Sequence, residues 1–171
     1  MEKRKIEFQV ETAKAGILEG YAAVFEQPAQ IADFTEVIKK GAFTNSLNSR
    51  DILALVDHDL SKLLARTSAG TLTLQEDEHG LKFSIKCPDT SLAKDTYALV
   101  AAGNIRGCSI GFTVPESGAE WNGGTRILRN IDLLEISIVS AFPAYENTEV
   151  QARSHNQRLT MAWRWLGTVG G

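Results

Sequence analysis

Short runs in which apolar and polar residues alternate, each closed by a turn signal, recur along most of this 171-residue chain and confine it to a fold of many short strands. Lys5 to Val10 alternates, Gly16 to Phe25 reads as a strand with Gly20 as its bulge candidate, and Ile52 to Val56 is apolar on both faces. Thr71 to Leu74 and Leu81 to Lys86 flank Glu76-Asp77-Glu78-His79-Gly80, whose closing glycine suits a hairpin turn. Further strands are expected at Cys108 to Val114, Arg126 to Leu128 and Leu133 to Val139, with Trp121-Asn122-Gly123-Gly124 as a second hairpin turn. The fold class that follows is mainly β with a few helices (α+β), with the strands in an antiparallel barrel or sandwich.

Two helices interrupt the strands. Gly41 to Leu47 is short, with Phe43 and Leu47 on one face. Asp89 or Thr90 caps a second helix whose Ala93, Tyr97, Val100 and Ala101 form an apolar stripe, and Gly103 stands just beyond its end. After Arg153 the chain turns polar and then aromatic, through Met161-Ala162-Trp163-Arg164-Trp165-Leu166-Gly167. The expected organisation is a β-barrel domain over residues 1–153 and a C-terminal tail over 154–171, the tail carrying a short amphipathic helix whose Trp163 and Trp165 pack against the barrel.

A hydrophobic content of 43% suits one domain with a real core. A net charge of −3, with lysines and arginines scattered along the chain, offers no basic field for a phosphate backbone, so nucleic acid is not an expected partner. Cys87 and Cys108 lie in or beside strand segments without a Cys-x-x-Cys spacing, which points to a reducing, intracellular setting with no disulfide, no metal site and no cofactor. No apolar run approaches the ~18 residues of a membrane span.

The chemistry concentrates in two stretches, Gly107-Cys108-Ser109-Ile110-Gly111-Phe112 and the apolar run from Ile52 that ends in Asp57-His58-Asp59. A serine hydroxyl is a weak nucleophile at neutral pH and needs an imidazole to take its proton, so Ser109 and His58 are the candidate nucleophile and base. Glu135 is the candidate for the carboxylate that holds the other ring nitrogen, with Asp57, Asp59 and Asp132 as rivals. Strand parity puts Cys108, Ile110 and Phe112 in the core and Gly107, Ser109 and Gly111 on the opposite face. The same rule puts Leu134, Ile136 and Ile138 inward and Leu133, Glu135, Ser137 and Val139 outward, so Ser109 and Glu135 are expected outside the barrel wall. The glycines beside Ser109 would leave room for a substrate backbone. Backbone N–H groups at Ser109 and Ile110, helped by Arg106 or Arg126, would meet the oxyanion. His79 reads as a solvated turn residue and Cys108 as a small core side chain.

Two other functions compete. Gly107-Cys108-Ser109-Ile110-Gly111 also matches the G-x-S-x-G elbow of α/β-hydrolases, with His155 as base, but Phe112-Thr113-Val114-Pro115 continues extended where that elbow needs a helix. A catalytically silent β-barrel that serves only as a scaffold or binding module is the second.

The segments Gly20-Tyr21-Ala22-Ala23-Val24-Phe25, Gly41-Ala42-Phe43, Val56-Asp57-His58-Asp59, Gly80-Leu81, Ser109-Ile110-Gly111-Phe112 and Glu135-Ile136-Ser137-Ile138-Val139, running on to Phe142-Pro143-Ala144-Tyr145, occur in an order that resembles the tailed-phage prohead proteases. The resemblance covers about residues 5 to 153. It implies an antiparallel β-barrel of the herpesvirus assemblin type and a serine endopeptidase of capsid maturation. His58 would be base, Ser109 nucleophile and Glu135 third member. It also implies work in the host cytoplasm inside the assembling prohead, on scaffold or the scaffold-like arm of the major capsid protein and on the protease itself, with self-association. Lys40 stands where the family usually has proline, and Ile110 where it has an aromatic, departures that bear on substrate preference.

Overall fold

The computed structural model describes residues 1–6, 11–14 and 16–140, and among them the chain forms thirteen strands and two helices. In chain order these are β1 (Glu2–Ile6), β2 (Glu11–Lys14), β3 (Ile17–Val24), β4 (Ala29–Ile31), β5 (Phe34–Ile38), α1 (Thr44–Ser49), β6 (Leu53–Val56) and β7 (Asp59–Arg66). There follow β8 (Leu72–Glu76), β9 (Gly80–Lys86), α2 (Ser91–Ala101), β10 (Gly107–Thr113), β11 (Ala119–Asn122), β12 (Thr125–Leu128) and β13 (Asp132–Val139). The mainly β class with few helices is as expected. The arrangement of the strands is not.

No closed barrel forms among the described strands; they make three open sheets, ordered β1-β10-β13-β6-β7, β11-β12-β5-β4 and β2-β3-β9-β8. Nor is the pairing wholly antiparallel, since β13 runs parallel to β6 and β12 parallel to β5. Alternation within a strand reports which face is buried and says nothing of the neighbour's direction. One core runs between the sheets. Leu18, Phe43, Ile52, Phe83, Ile110, Phe112 and Leu133 are almost wholly withdrawn from water, each worth about 1.5–3 kcal/mol of transfer free energy.

Local deviations have local causes. The bulge in β3 falls at Ala22, between the Tyr21–Lys82 and Ala23–Leu81 pairs, and not at Gly20. Gly80 follows a turn in which the Asp77 carboxylate accepts the N–H groups of His79 (2.7 Å) and Gly80 (3.0 Å). A side chain at Gly80 would start 2.0 Å from the Ala23 carbonyl oxygen, so this glycine serves the close approach of β3. Exposed His79 sets its ring edge-on to Tyr21, with centroids 4.7 Å apart.

The first helix starts later than expected, at Thr44, because its first turn is organised by a distant carboxylate. Glu76 accepts from the Phe43 N–H (3.0 Å) and the Thr44 hydroxyl (2.7 Å). At its centre, buried Ser46 donates to the Ile131 carbonyl and accepts from the Leu133 N–H (2.9 Å), fastening α1 to the start of β13. Of the two candidate caps for α2, Thr90 is the one that accepts from Ala93, and Gly103 just past the helix adopts φ +74°. Ala101 is exposed, and Thr96 takes its place on the buried face. The expected tail, with His155, Trp163 and Trp165, lies outside the described residues, as does the end of the first expected strand at 7–10.

Candidate active site

Two interior strands carry most of the site. On one face of the β10–β13 pair, Cys108 lies opposite Ile138 and Ile110 opposite Ile136, all fully buried. On the other face, Ser109 lies opposite Ser137 and Gly111 opposite Glu135. The register then slips: Phe112 pairs with Leu133, so Leu134 is the extra residue of a bulge. Parity flips there, which is why Leu133 is fully buried and Leu134 only partly, the reverse of the expected assignment. Ser109 (1% exposed) and Glu135 (3%) are not outside a barrel wall either. Both faces of this interior part of the sheet are covered.

The third side chain arrives on a tight turn. Val56 and Asp59 pair across the β6–β7 hairpin, leaving Asp57 (φ +53°) and His58 (φ +59°) as a two-residue loop with both residues left-handed. Such a loop usually takes Asn-Gly, and each non-glycine residue there costs about 1–2 kcal/mol. The surroundings hold it. Asp57 donates its N–H to the Ile138 carbonyl (3.0 Å), and its carboxylate accepts the N–H and hydroxyl of Ser140, both at 2.7 Å. The His58 N–H donates to the Ser137 hydroxyl oxygen (3.1 Å). Because β6 lies parallel beside β13, with Leu55 opposite Ser137, the end of β6 delivers this turn over the Ser109–Glu135 face.

The three side chains form one chain of contacts. His58 Nε2 lies 2.9 Å from Ser109 Oγ, and Nδ1 lies 2.6 Å from Glu135 Oε1. A carboxylate at Nδ1 calls for a proton there, which leaves Nε2 with the lone pair that accepts from the serine hydroxyl. Glu135 Oε2 accepts from the Ser137 hydroxyl at 2.6 Å. The imidazole is itself only 13% exposed, and the approach to it is an open depression of about 490 Å³ lined by His58, Asp59, Leu60 and Ser61.

The rival carboxylates are occupied elsewhere. Asp57 holds Ser140, Asp59 accepts from the N–H (2.9 Å) and hydroxyl (2.6 Å) of Ser61, and Asp132 pairs with Arg50 at 3.0 Å. The arginines named for the oxyanion are committed too. Arg126 makes a two-pronged pair with Glu2 (2.7 and 3.0 Å) and reaches buried Glu36 at 3.3 Å, while Arg106 Nε donates to the Gly103 carbonyl. Ser109 pairs with Lys5 on one side and Ser137 on the other, and Ile110 with Arg4 and Ile136. Amides of a strand flanked on both sides serve the ladders, so the N–H groups of Ser109 and Ile110 do not form the expected oxyanion site. Burial pushes the Cys108 thiol up to about 12, and it behaves as a core side chain. Among the described residues, no group of three His, Cys, Asp or Glu is placed to hold a metal, and no helix is long and apolar enough to cross a membrane.

The strand β10 continues straight through Ser109 to Thr113, with no helix after the serine, which removes the hydrolase elbow. A family model described as the caudovirus prohead serine protease matches residues 2–161. The chain belongs to this family. The prohead protease of Enterobacteria phage HK97 is 33% identical over 142 residues, an overlap that takes in 81% of this chain and 60% of that protein's length. The solved structure of the bacteriophage T4 capsid assembly protease shares the fold at a TM-score of 0.50 and 14% identity, over 81% of this chain and 92% of that one.

Two residues of the site have roles that residue types alone do not disclose. Ser137 touches both His58 and Glu135, and Gly111 is needed because a Cβ there would lie 2.0 Å from Glu135 Oε1. Parity already put Ser137 on the face of Glu135. Pairing Gly111 with Glu135 needs the β10–β13 register, which no local pattern contains.

Proposed function

We propose that the chain is a serine endopeptidase of phage capsid maturation, with Ser109 as nucleophile, His58 as general base and Glu135 as the carboxylate that orients the imidazole. The observation that carries this is the unbroken line from Ser109 Oγ through both nitrogens of His58 to Glu135 Oε1, at 2.9 and 2.6 Å. As Oγ attacks the scissile carbonyl carbon, its proton passes to Nε2, and the new imidazolium is stabilised by the carboxylate at Nδ1. Nε2–H then protonates the leaving amine, and an acyl-enzyme on Ser109 remains. Water completes the cycle by the same proton route in reverse, which frees the new carboxyl terminus.

The substrates in this proposal are scaffold or the scaffold-like arm of the major capsid protein, and the protease itself, inside the assembling prohead in the host cytoplasm. Family membership and the relatives' names support the setting. The kinship with herpesvirus assemblin, the expected self-association and the confinement of catalysis to residues 1–153 belong to the same proposal.

The test is direct. The full chain is exposed to diisopropyl fluorophosphate, and the modified residue is located by mass spectrometry; stoichiometric modification of Ser109 is expected, and none in the folded protein favours a silent capsid-binding module. Co-expression with the neighbouring capsid gene product, read by intact mass, then identifies the peptide bonds cut. An unprocessed capsid protein beside a labelled Ser109 would reject the substrate while keeping the enzyme.

A further inference from the structure

We propose that Ser137 is a positioning residue of this site, a fourth member that locks both Glu135 and the His58 turn through a single oxygen atom; this rests on the peptidase reading above. Ser137 Oγ donates to Glu135 Oε2 at 2.6 Å and accepts the His58 backbone N–H at 3.1 Å. The side chain is wholly buried and lies directly opposite Ser109 in the β10–β13 register. A closed loop of contacts results. It leaves the His58 backbone, passes through Ser137 Oγ and the Glu135 carboxylate, and returns to His58 at Nδ1.

Each part of that loop limits one freedom of the base. A carboxylate can turn about its last bond, and holding Oε2 keeps Oε1 aimed at Nδ1. An imidazole on a two-residue left-handed turn moves with the turn, and holding the His58 N–H keeps the ring over Ser109. Only a hydroxyl donates and accepts at one atom in so small a space, so serine or threonine meets the need, while alanine and cysteine do not. Without it, buried Glu135 Oε2 and the part-buried His58 N–H both lose their partner, and the tautomer that presents a bare Nε2 to Ser109 is no longer enforced.

The full chain is compared with Ser137→Ala, Ser137→Cys and Ser137→Thr by two readouts. The first is the proton resonance of His58 Nδ1–H in protein carrying nitrogen-15 histidine, which reports the bond to Glu135 without any reaction. The second is the rate of phosphorylation by diisopropyl fluorophosphate, in which the bond from Ser109 Oγ to phosphorus forms, fluoride leaves and the hydroxyl proton goes to Nε2. In Ser137→Ala the downfield ring-proton signal should vanish into solvent exchange and the rate should fall about ten- to a hundredfold. Ser137→Cys, which fills the same space with a weak donor, should match it, and Ser137→Thr should restore both. A side chain that only satisfied buried polar atoms would lower the melting temperature and leave both readouts alone. A wild-type ring-proton signal with a rate within about twofold of wild type, in folded Ser137→Cys or Ser137→Ala, overturns the proposal. If wild type itself is not phosphorylated by the reagent, the peptidase reading falls, and the ring-proton signal still decides whether Ser137 positions the His58–Glu135 pair.

Discussion

Gly111 and Glu135 face each other across β10 and β13, and the carboxylate fills the place where a side chain at 111 would begin. An ideal Cβ on Gly111 would lie 2.0 Å from Oε1 and 2.8 Å from the carboxyl carbon. The glycine two residues after the nucleophile therefore makes room for the third member and not, as the local pattern suggested, for a substrate backbone.

Gly111→Ala should consequently act as a site mutation. The methyl must displace either the strand or the Glu135 head, at a cost of about 1–3 kcal/mol in stability, and labelling of Ser109 by diisopropyl fluorophosphate should slow as much as in Glu135→Gln. Thermal unfolding and labelling rate measured together check this. A destabilised Gly111→Ala that labels at the wild-type rate would show that Glu135 can move without consequence.

The roles of the three contacting residues predict a hierarchy. Nucleophile and base act as one unit, so Ser109→Ala and His58→Ala should each reduce cleavage by roughly 10⁴ to 10⁶, with Glu135→Gln retaining more activity. His155→Ala should leave processing intact. Loss of capsid-protein processing on removal of His155 but not of His58 would end the assignment of the base.

Asp57 predicts a separable effect of the turn. Its left-handed backbone suits aspartate better than alanine, and its carboxylate holds Ser140 through two contacts at 2.7 Å. Asp57→Ala should lose about 1–3 kcal/mol of stability from both causes. Asp57→Gly relieves the backbone cost while still releasing Ser140, so it should fall between. Denaturant unfolding of the three proteins ranks them, and equal stability of Ala and Gly would mean that the left-handed turn carries no strain.

Cys108 predicts a pH dependence. Burial pushes its thiol from an ordinary 9.0 up to about 12, so the folded state keeps the proton to higher pH than the unfolded chain does. Its contribution to stability is then complete below about pH 9 and is lost as the pH rises toward 12, with a slope of at most about 1.4 kcal/mol per pH unit. Unfolding free energies at several pH values between those limits should fall more steeply in wild type than in Cys108→Ala. Parallel slopes would contradict a buried thiol.

Much of this molecule is legible locally. Turn chemistry and period-two alternation locate β3, β8, β9, β10, β12 and β13 to within a few residues, and Thr90 with Gly103 brackets α2, because hydrogen bonding at a cap and a positive φ are properties of a few adjacent residues. Residue types and their order name Ser109, His58 and Glu135 for the same reason: acyl transfer needs a hydroxyl, an imidazole and a carboxylate, whatever holds them. The strands β4, β5, β7 and β11 are not legible in that way. The β7 segment Asp59–Arg66 is mostly exposed on an edge, with Leu60 and Leu63 on its surface and charged residues between and beside them, and β5 buries Glu36 against Arg126, so neither shows a clean apolar face. Asp57-His58 carries no usual hairpin signal either; its left-handed pair persists because Ile138, Ser137 and Ser140 bind it.

By itself, then, the sequence determined that the strands with clean alternation or turn signals extend, where the second helix starts and stops, and which side chains have the chemistry. Only the tertiary structure decided which strands become neighbours, that two pairs run parallel, where the bulges at Ala22 and Leu134 reverse the faces, and that Gly111 and Ser137 belong beside Glu135. Alternation is set by each residue's own backbone, whereas register is set by contacts between residues far apart in the chain, and a shift of one position in that register exchanges the two faces of a strand.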